Sequence, residues 1–115
     1  MDTKINRKVR CVEALLASVK TKTFPLYKII LFGSFSTGKF HERSDLDLCL
    51  VYEADKEPSH QDKVWIESYI DDIVGHEMNV DYVYAPLARL TDGCQVFDSI
   101  RKEGLVLWEH SGILH

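Results

Sequence analysis

The sequence lacks several features that mark particular classes of protein. No apolar run approaches the roughly 20 residues needed to cross a bilayer. The opening segment MDTKINRKVR is charged and contains no apolar stretch of the kind found in a secretory signal. Repeats and low-complexity segments are also missing. We therefore expect neither a membrane span nor secretion, and predict one compact domain over residues 1–115.

Cysteine and clustered histidine are scarce as well. The three cysteines, Cys11, Cys49 and Cys94, are far apart, odd in number and not in metal-ligand spacing. The five histidines are scattered, and no pair has convincing ligand spacing on one element. Isolated thiols are typical of a reducing compartment, so we expect a cytoplasmic protein.

Positive charge is in deficit, with 14 Lys and Arg residues against 18 Asp and Glu residues and a net charge of −4. Long nucleic acids are bound through many phosphate contacts, which require a strongly basic surface. A long nucleic acid is therefore not an expected partner. One loop does concentrate Lys39, His41 and Arg43; taken alone, such a cluster is more typical of a solvated loop than of a binding site.

Apolar residues make up 45% of the chain, which is enough for a core. Their spacing predicts the order α-β-turn-β-α-β-α-β, and thus an α/β (α+β) fold with helices flanking a small mixed sheet. A proline and a glycine, Pro25 and Gly104, mark predicted ends of elements. The predicted helices cover residues 3–20, Gln61–Val74 and Thr91 or Asp92 to Glu103, a helical turn covers Ser34–Gly38, and the strands cover Tyr27–Phe32, Leu46–Tyr52, Val80–Tyr84 and Leu105–Trp108. On the second helix, the apolar residues expected on or near one face are Val64, Trp65, Tyr69, Ile70 and Ile73.

Two carboxylates, Asp45 and Asp47, stand one residue apart at the start of an otherwise apolar strand. Because side chains alternate between strand faces, both carboxylates point to one face and the leucines between and after them point to the other. Two such charges repel each other unless a cation lies between them, and Mg²⁺ prefers carboxylate oxygens. The pattern is short, however. Taken alone, it fits better with Asp45 capping the strand and Asp47 lying on a solvated face.

Two further features add to this pair. Gly33 and Ser34 end the preceding strand, where a glycine allows backbone N–H groups to approach a phosphate and the serine adds a hydroxyl. Asp81 is a third acid within a β-rich run, and a neighbouring strand could bring it beside Asp45 and Asp47. The alternatives are an ordinary turn for Gly33–Ser34 and a strand-edge residue for Asp81.

Together these residues form the pattern G-S-x10-D-x-D, from Gly33–Ser34 to Asp45 and Asp47. The chain thereby resembles the minimal nucleotidyltransferases of the polymerase-β-like superfamily, and the resemblance extends to the leading helix, the Asp81 strand and the closing IRKEGLVLWE segment. It implies the polymerase-β-like fold, with a small mixed sheet flanked by helices. It also implies Mg²⁺-dependent transfer of a nucleoside monophosphate to a hydroxyl group, with release of pyrophosphate.

The resemblance also implies roles for individual residues. Asp45, Asp47 and Asp81 would be the catalytic residues and would hold two Mg²⁺ ions, and Asp81 would also orient or deprotonate the acceptor. Gly33 and Ser34 would hold the triphosphate. The arginine that many members carry shortly after G-S is absent, because Phe35, Ser36 and Thr37 occupy those positions. Lys39 and Arg43 are the candidates to replace it as nucleotide-binding cations.

The resemblance further implies a partner. Stand-alone members pair with an all-helical HEPN protein as toxin and antitoxin, and the nucleotidyltransferase binds the toxin, transfers AMP from ATP to a tyrosine of it, or does both. We therefore expect an antitoxin of this kind. Two alternatives remain: a non-enzymatic antitoxin that acts by binding alone, and a nucleotidyltransferase for a small molecule or an RNA end that works with a separate substrate-binding subunit.

Overall fold

The computed structural model describes residues 3–91, 100 and 102–110. Helix α1, Lys4–Val19, begins where Thr3 accepts a hydrogen bond from the N–H of Asn6. Strand β1, Lys28–Phe32, is followed by the single turn α2, Ser34–Thr37, and by strand β2, Leu46–Tyr52. Helix α3, strand β3, a 3-10 helix and strand β4 then follow at His60–Val74, Val80–Pro86, Leu87–Thr91 and Leu105–Glu109.

The four strands form one mixed sheet in the order β3-β2-β1-β4. Strand β1 pairs antiparallel with both β2 and β4, whereas β2 and β3 are parallel and joined through α3. The expected small mixed sheet with flanking helices is confirmed. The expected helix up to Glu103 falls mostly outside the described residues, although Ile100, Lys102 and Glu103 are helical.

Alternation along the central strands gives the sheet two apolar faces. Leu46, Leu48 and Leu50 of β2 are fully buried against α1 and α3. Cys49 and Val51 point to the other face and pack with a smaller apolar cluster that includes Leu90 and Ile100. The sheet is therefore packed on both faces, by α1 and α3 on one and by the cluster around Leu90 and Ile100 on the other.

Helix α3 starts at a capping box, in which Ser59 and Asp62 each accept a hydrogen bond from the other's backbone N–H at 3.1 Å. Its buried stripe is Ile66, Ile70 and Val74, at a spacing of four residues. Val64 and Trp65 were expected on or near the same face as Ile70, but both lie off this stripe and remain about half exposed.

Strand β3 extends two residues beyond the predicted end at Tyr84, because it pairs with β2 as far as the Tyr52–Pro86 register. A proline is compatible with this position because β3 is an edge strand whose outer side needs no ladder hydrogen bond. In the described part of the chain, no helix combines the length and hydropathy required to span a membrane.

Candidate active site

The first element of the site is the junction between β1 and α2. Gly33 has φ +76° and ψ −152°, a backbone conformation that is almost restricted to glycine. A Cβ atom at this position would lie only 2.2 Å from Oδ2 of Asp47. Glycine is therefore required here twice, once by the backbone and once by the Asp47 carboxylate above it. The sequence predicted a close approach to a phosphate; the close approach in the structure is that of Asp47.

The turn α2 leaves one of its hydroxyl groups available. Ser36 Oγ donates to the Gly33 carbonyl at 3.0 Å, and Thr37 Oγ1 donates to the same carbonyl at 3.3 Å. The hydroxyl of Ser34 makes no hydrogen bond to any described residue. The first N–H groups of a helical turn also have no partner within the turn. Ser34 thus combines a side-chain donor with backbone donors at the end of β1.

Asp47 and Asp81 lie directly side by side. The parallel register of β2 and β3 pairs Asp47 with Asp81, so both carboxyl groups point to the same face of the sheet. Burial raises the pKa of Asp47, and the charge of Asp81, a hydrogen bond between the two carboxyl groups and the charge of Asp45 raise it further. A bound cation would relieve the mutual repulsion of these three carboxylates.

Asp45 lies just before β2, at the end of a tight turn. In this turn the N–H of Ser44 donates to the His41 carbonyl at 2.9 Å, and the N–H of His41 donates to Ser44 Oγ at 2.8 Å. Asp45 and Asp81 both line an open groove of about 580 Å³ between the end of α3 and the start of β3. Asp45 and Asp81 therefore share one accessible concavity, and Asp47 is not among its lining residues. The remaining lining residues are Asp71, Gly75, Met78, Asn79 and Val80.

The donor chemistry of the site fits a hard divalent cation, since carboxylate oxygens are the ligands that Mg²⁺ prefers. The fit is strongest for Asp47 and Asp81, which the parallel register places side by side on one face of the sheet. Over residues 3–91, 100 and 102–110, no three His, Cys, Asp or Glu side chains converge as a formed metal cluster. Asp45 is near enough to act on the pKa of Asp47, but its carboxylate does not join the pair in such a cluster.

The two candidate cations lie in the loop between α2 and β2. Lys39 and Arg43 are exposed, and neither forms an ion pair with a described residue. The rings of Phe35 and Phe40 stack at 4.5 Å and fasten this loop to α2. The structure thus keeps both cations in the loop that follows Ser34, without bringing either into contact with the three aspartates.

Other polar and reactive groups on these strands have structural surroundings. Cys49 is fully buried, and burial raises its pKa to about 11, which keeps it a neutral thiol. Tyr82 and Tyr84 point to the helix face, where Tyr82 donates to Asp71 Oδ1 at 2.9 Å and Tyr84 donates to Glu67 Oε2 at 2.8 Å. Burial is the main cause that raises the pKa of both phenols. They bind α3 to the sheet.

One residue near the site was missed by the sequence reasoning. Lys8 of α1 is buried, and its Nζ donates to the carbonyl of Ser44 at 2.7 Å, one residue before Asp45. A signal for it existed: positions 8, 12, 15 and 19 form one helical stripe, and the last three are apolar. A lysine in line with a core stripe is unusual enough to be noticed.

A mixed sheet with aspartates on two adjacent parallel strands, beside a glycine-serine turn, is the arrangement that the resemblance to nucleotidyltransferases implies. The family model of the nucleotidyltransferase domain matches residues 12–104. The chain therefore belongs to the nucleotidyltransferase domain family, which confirms the resemblance found in the motif.

Solved structures share this fold. A chain in the crystal structure of a toxin–antitoxin with AMP-PNP is 22% identical, with a TM-score of 0.54 over 90% of this chain and 75% of that one. A chain in the structure of a mutant of the toxin–antitoxin MntA-HpeT is 19% identical, with a TM-score of 0.53 over 88% of this chain and 75% of that one. Comparison with curated proteins finds no match.

Proposed function

We propose that this nucleotidyltransferase moves AMP from ATP to a hydroxyl group of a partner protein, and that it serves as the antitoxin of an all-helical HEPN toxin. In this role residues 1–115 form one catalytic domain that works in the cytoplasm. The observation that carries the chemistry is the parallel register that pairs Asp47 with Asp81 above Gly33. The toxin–antitoxin structures that share the fold support the biological role, one of them with AMP-PNP.

In this proposal the triphosphate lies along α2. Gly33 gives its phosphates access to backbone N–H groups, and the hydroxyl of Ser34, which has no hydrogen-bond partner among the described residues, donates to a phosphate oxygen. Lys39 and Arg43, which have no ion pair with a described residue, neutralise part of the phosphate charge. This arrangement leaves the α-phosphate facing Asp47 and Asp81.

Asp45, Asp47 and Asp81 would hold two Mg²⁺ ions. Bound there, the ions supply Lewis-acid stabilisation of the attacking and leaving oxygens of an in-line displacement. The acceptor oxygen forms a bond to the α-phosphorus, the bond from that phosphorus to the bridging oxygen breaks, and pyrophosphate leaves. Asp81 orients the acceptor hydroxyl and takes its proton, a role that its place beside Asp47 and in the open groove supports.

The partner is proposed to approach the groove at the edge of the sheet. Strand β3 is an edge of the sheet, so the side of Asp81 away from β2 is not covered by another strand of this sheet. A protein partner can therefore place a tyrosine hydroxyl within reach of Asp81. Free tyrosine lacks this positioning and should react far more slowly.

The test combines the purified chain, the candidate helical partner, Mg²⁺ and each of the four nucleoside triphosphates labelled at the α-phosphate. Label on the partner, strongest with ATP and seen as one added nucleotidyl unit by mass spectrometry, is the expected result. Asp45→Asn should abolish labelling and leave the complex with the partner intact. Label on RNA or a small molecule alone would contradict the protein acceptor. A tight complex with no label anywhere would favour an antitoxin that acts by binding.

A further inference from the structure

The core-facing side of α1 contains one charged side chain. Its buried residues include Lys8, Val12, Leu15 and Val19, and the exposed fraction of Lys8 is only 3%. Taking an ammonium group out of water is costly, and an apolar side chain of similar length would fill the same space without that cost. Local violations of the apolar pattern are expected where function requires them. Lys8 is such a violation.

The ammonium group of Lys8 is directed at the turn that precedes β2. Its Nζ lies 2.7 Å from the carbonyl oxygen of Ser44, which is itself buried. The same turn is closed by the two hydrogen bonds between His41 and Ser44. Lys8 therefore fastens the last peptide group of the turn to the body of α1.

Asp45 is held from both sides as a result. The carbonyl of the preceding Ser44 accepts the hydrogen bond from Lys8, and the N–H of the following Leu46 donates to the carbonyl of Asn79 at 3.0 Å. The backbone of Asp45 is thus fixed between α1 and the segment that leads into β3.

We propose that Lys8 is a positioning residue for nucleotidyl transfer: its buried ammonium group fixes the Ser44–Asp45 peptide so that the Asp45 carboxylate can join Asp47 and Asp81 around a divalent cation. The inference rests on the proposed function, in which these carboxylates bind the cation. Lys8 itself touches neither substrate nor cation. Its effect is exerted entirely through Asp45.

The experiment compares Lys8→Met with Lys4→Met in the full chain. Both variants lose one positive charge from α1, but Lys4 is exposed. The first readout is Mn²⁺ binding to the nucleotide-free protein, measured by electron paramagnetic resonance. Removing a group that orients a metal ligand weakens metal binding by roughly 10- to 100-fold, so we expect at least about a tenfold weaker affinity in Lys8→Met and no change in Lys4→Met. Lys8→Arg, which keeps the charge and a donor, should restore part of the affinity.

A double-variant cycle separates positioning from a general loss of structure. If Lys8 acts through Asp45, then Lys8→Met should cause no further loss of Mn²⁺ affinity in an Asp45→Asn background. Equal losses in both backgrounds, or unchanged affinity in Lys8→Met, would overturn the inference. Should Lys8→Met fail to fold, Ser44→Ala decides instead, because it frees the N–H of His41 and loosens the same turn. Weaker Mn²⁺ binding would support positioning, and wild-type binding would overturn it.

The two proposals fail in different ways. A wild-type protein that binds no Mn²⁺ and transfers no nucleotide would remove the proposed function and this inference with it. A wild-type protein that binds Mn²⁺ and transfers nucleotide, with a Lys8→Met variant that matches it in Mn²⁺ affinity and in the Mg²⁺ concentration for half-maximal transfer, would remove this inference alone.

Discussion

Gly33→Ala is the substitution whose effect the structure defines best. The new Cβ would lie 2.2 Å from Asp47 Oδ2 and 3.1 Å from its Cγ, so the carboxylate must withdraw by roughly 1 Å. A non-glycine residue in this backbone conformation costs about 1–3 kcal/mol, and displacing the Asp47 side chain from its rotamer costs about 0.5–1.5 kcal/mol more. We expect a total loss of about 2–4 kcal/mol, or a melting temperature lower by roughly 10 °C.

The second glycine of this region with a positive φ provides a control without the steric contact. Gly38 has φ +77° and ψ 9°, in the left-handed helical region, and no atom lies within 4 Å of its Cβ position. Gly38→Ala should therefore cost only the backbone term, about 1 kcal/mol. Urea denaturation followed by circular dichroism measures both variants. Equal losses for the two glycines would refute the claim that Asp47 makes Gly33 special.

Substitutions at Asp47 isolate the steric part of the stability loss caused by Gly33→Ala. Asp47→Ala removes the carboxylate that the new methyl group would meet, so Gly33→Ala should cost about 1 kcal/mol less in that background. Asp47→Asn keeps the size of the side chain, and the cost should stay as in the wild type. An identical cost of Gly33→Ala in all three backgrounds would contradict the close contact between these residues.

Three further predictions concern the same face of the sheet. Asp47→Asn should abolish transfer, yet in EDTA at neutral pH the variant should melt at the wild-type temperature or higher. Folding raises the pKa of Asp47, so ionisation of its carboxyl group destabilises the folded state as the pH rises above the unfolded pKa of about 4. The difference in melting temperature between wild type and variant should therefore vanish below that pH. Ser34→Ala should weaken ATP binding by about 1.5–3 kcal/mol in calorimetry with Mg²⁺, whereas Ser36→Ala should leave it nearly unchanged, and equal effects would place the phosphates elsewhere. Iodoacetamide at pH 8 should label the peptide containing Cys49 only after unfolding in urea; labelling of the native protein would show that the thiol is not buried as described.

The strands were largely predictable because their apolar alternation and their turn residues agree. Strand β2 has the predicted bounds, Leu46–Tyr52, and the acids in β2 and β3 were expected to meet because each interrupts a β-rich run. The register itself was not predictable. The register depends on the geometry of the crossover through α3, so the local sequence does not predict which residue of β3 lies beside Asp47.

Misjudged residues were those whose burial depends on tertiary contacts. Trp65 is apolar, but Ile66 and Ile70 occupy the core side of α3, so the indole packs at 5.7 Å from the ring of Phe24 and stays 46% exposed. Lys8 shows the opposite case, since only a partner on a distant turn makes its burial tolerable. Residue type alone misleads in both cases.

The pairing of β2 with β3 also determines when the chemistry can appear during folding. The contact between Gly33 and Asp47 belongs to the antiparallel β1–β2 hairpin, which brings together residues close in the chain. Asp81 arrives only after α3 has formed and β3 has aligned in parallel, a non-local step that forms late and slowly in comparable topologies. A shift of that alignment by one residue would place Tyr82 beside Asp47 and turn Asp81 towards the helices. A partly folded chain can therefore hold the glycine-serine turn but not the carboxylate pair, so catalysis begins only with the completed sheet.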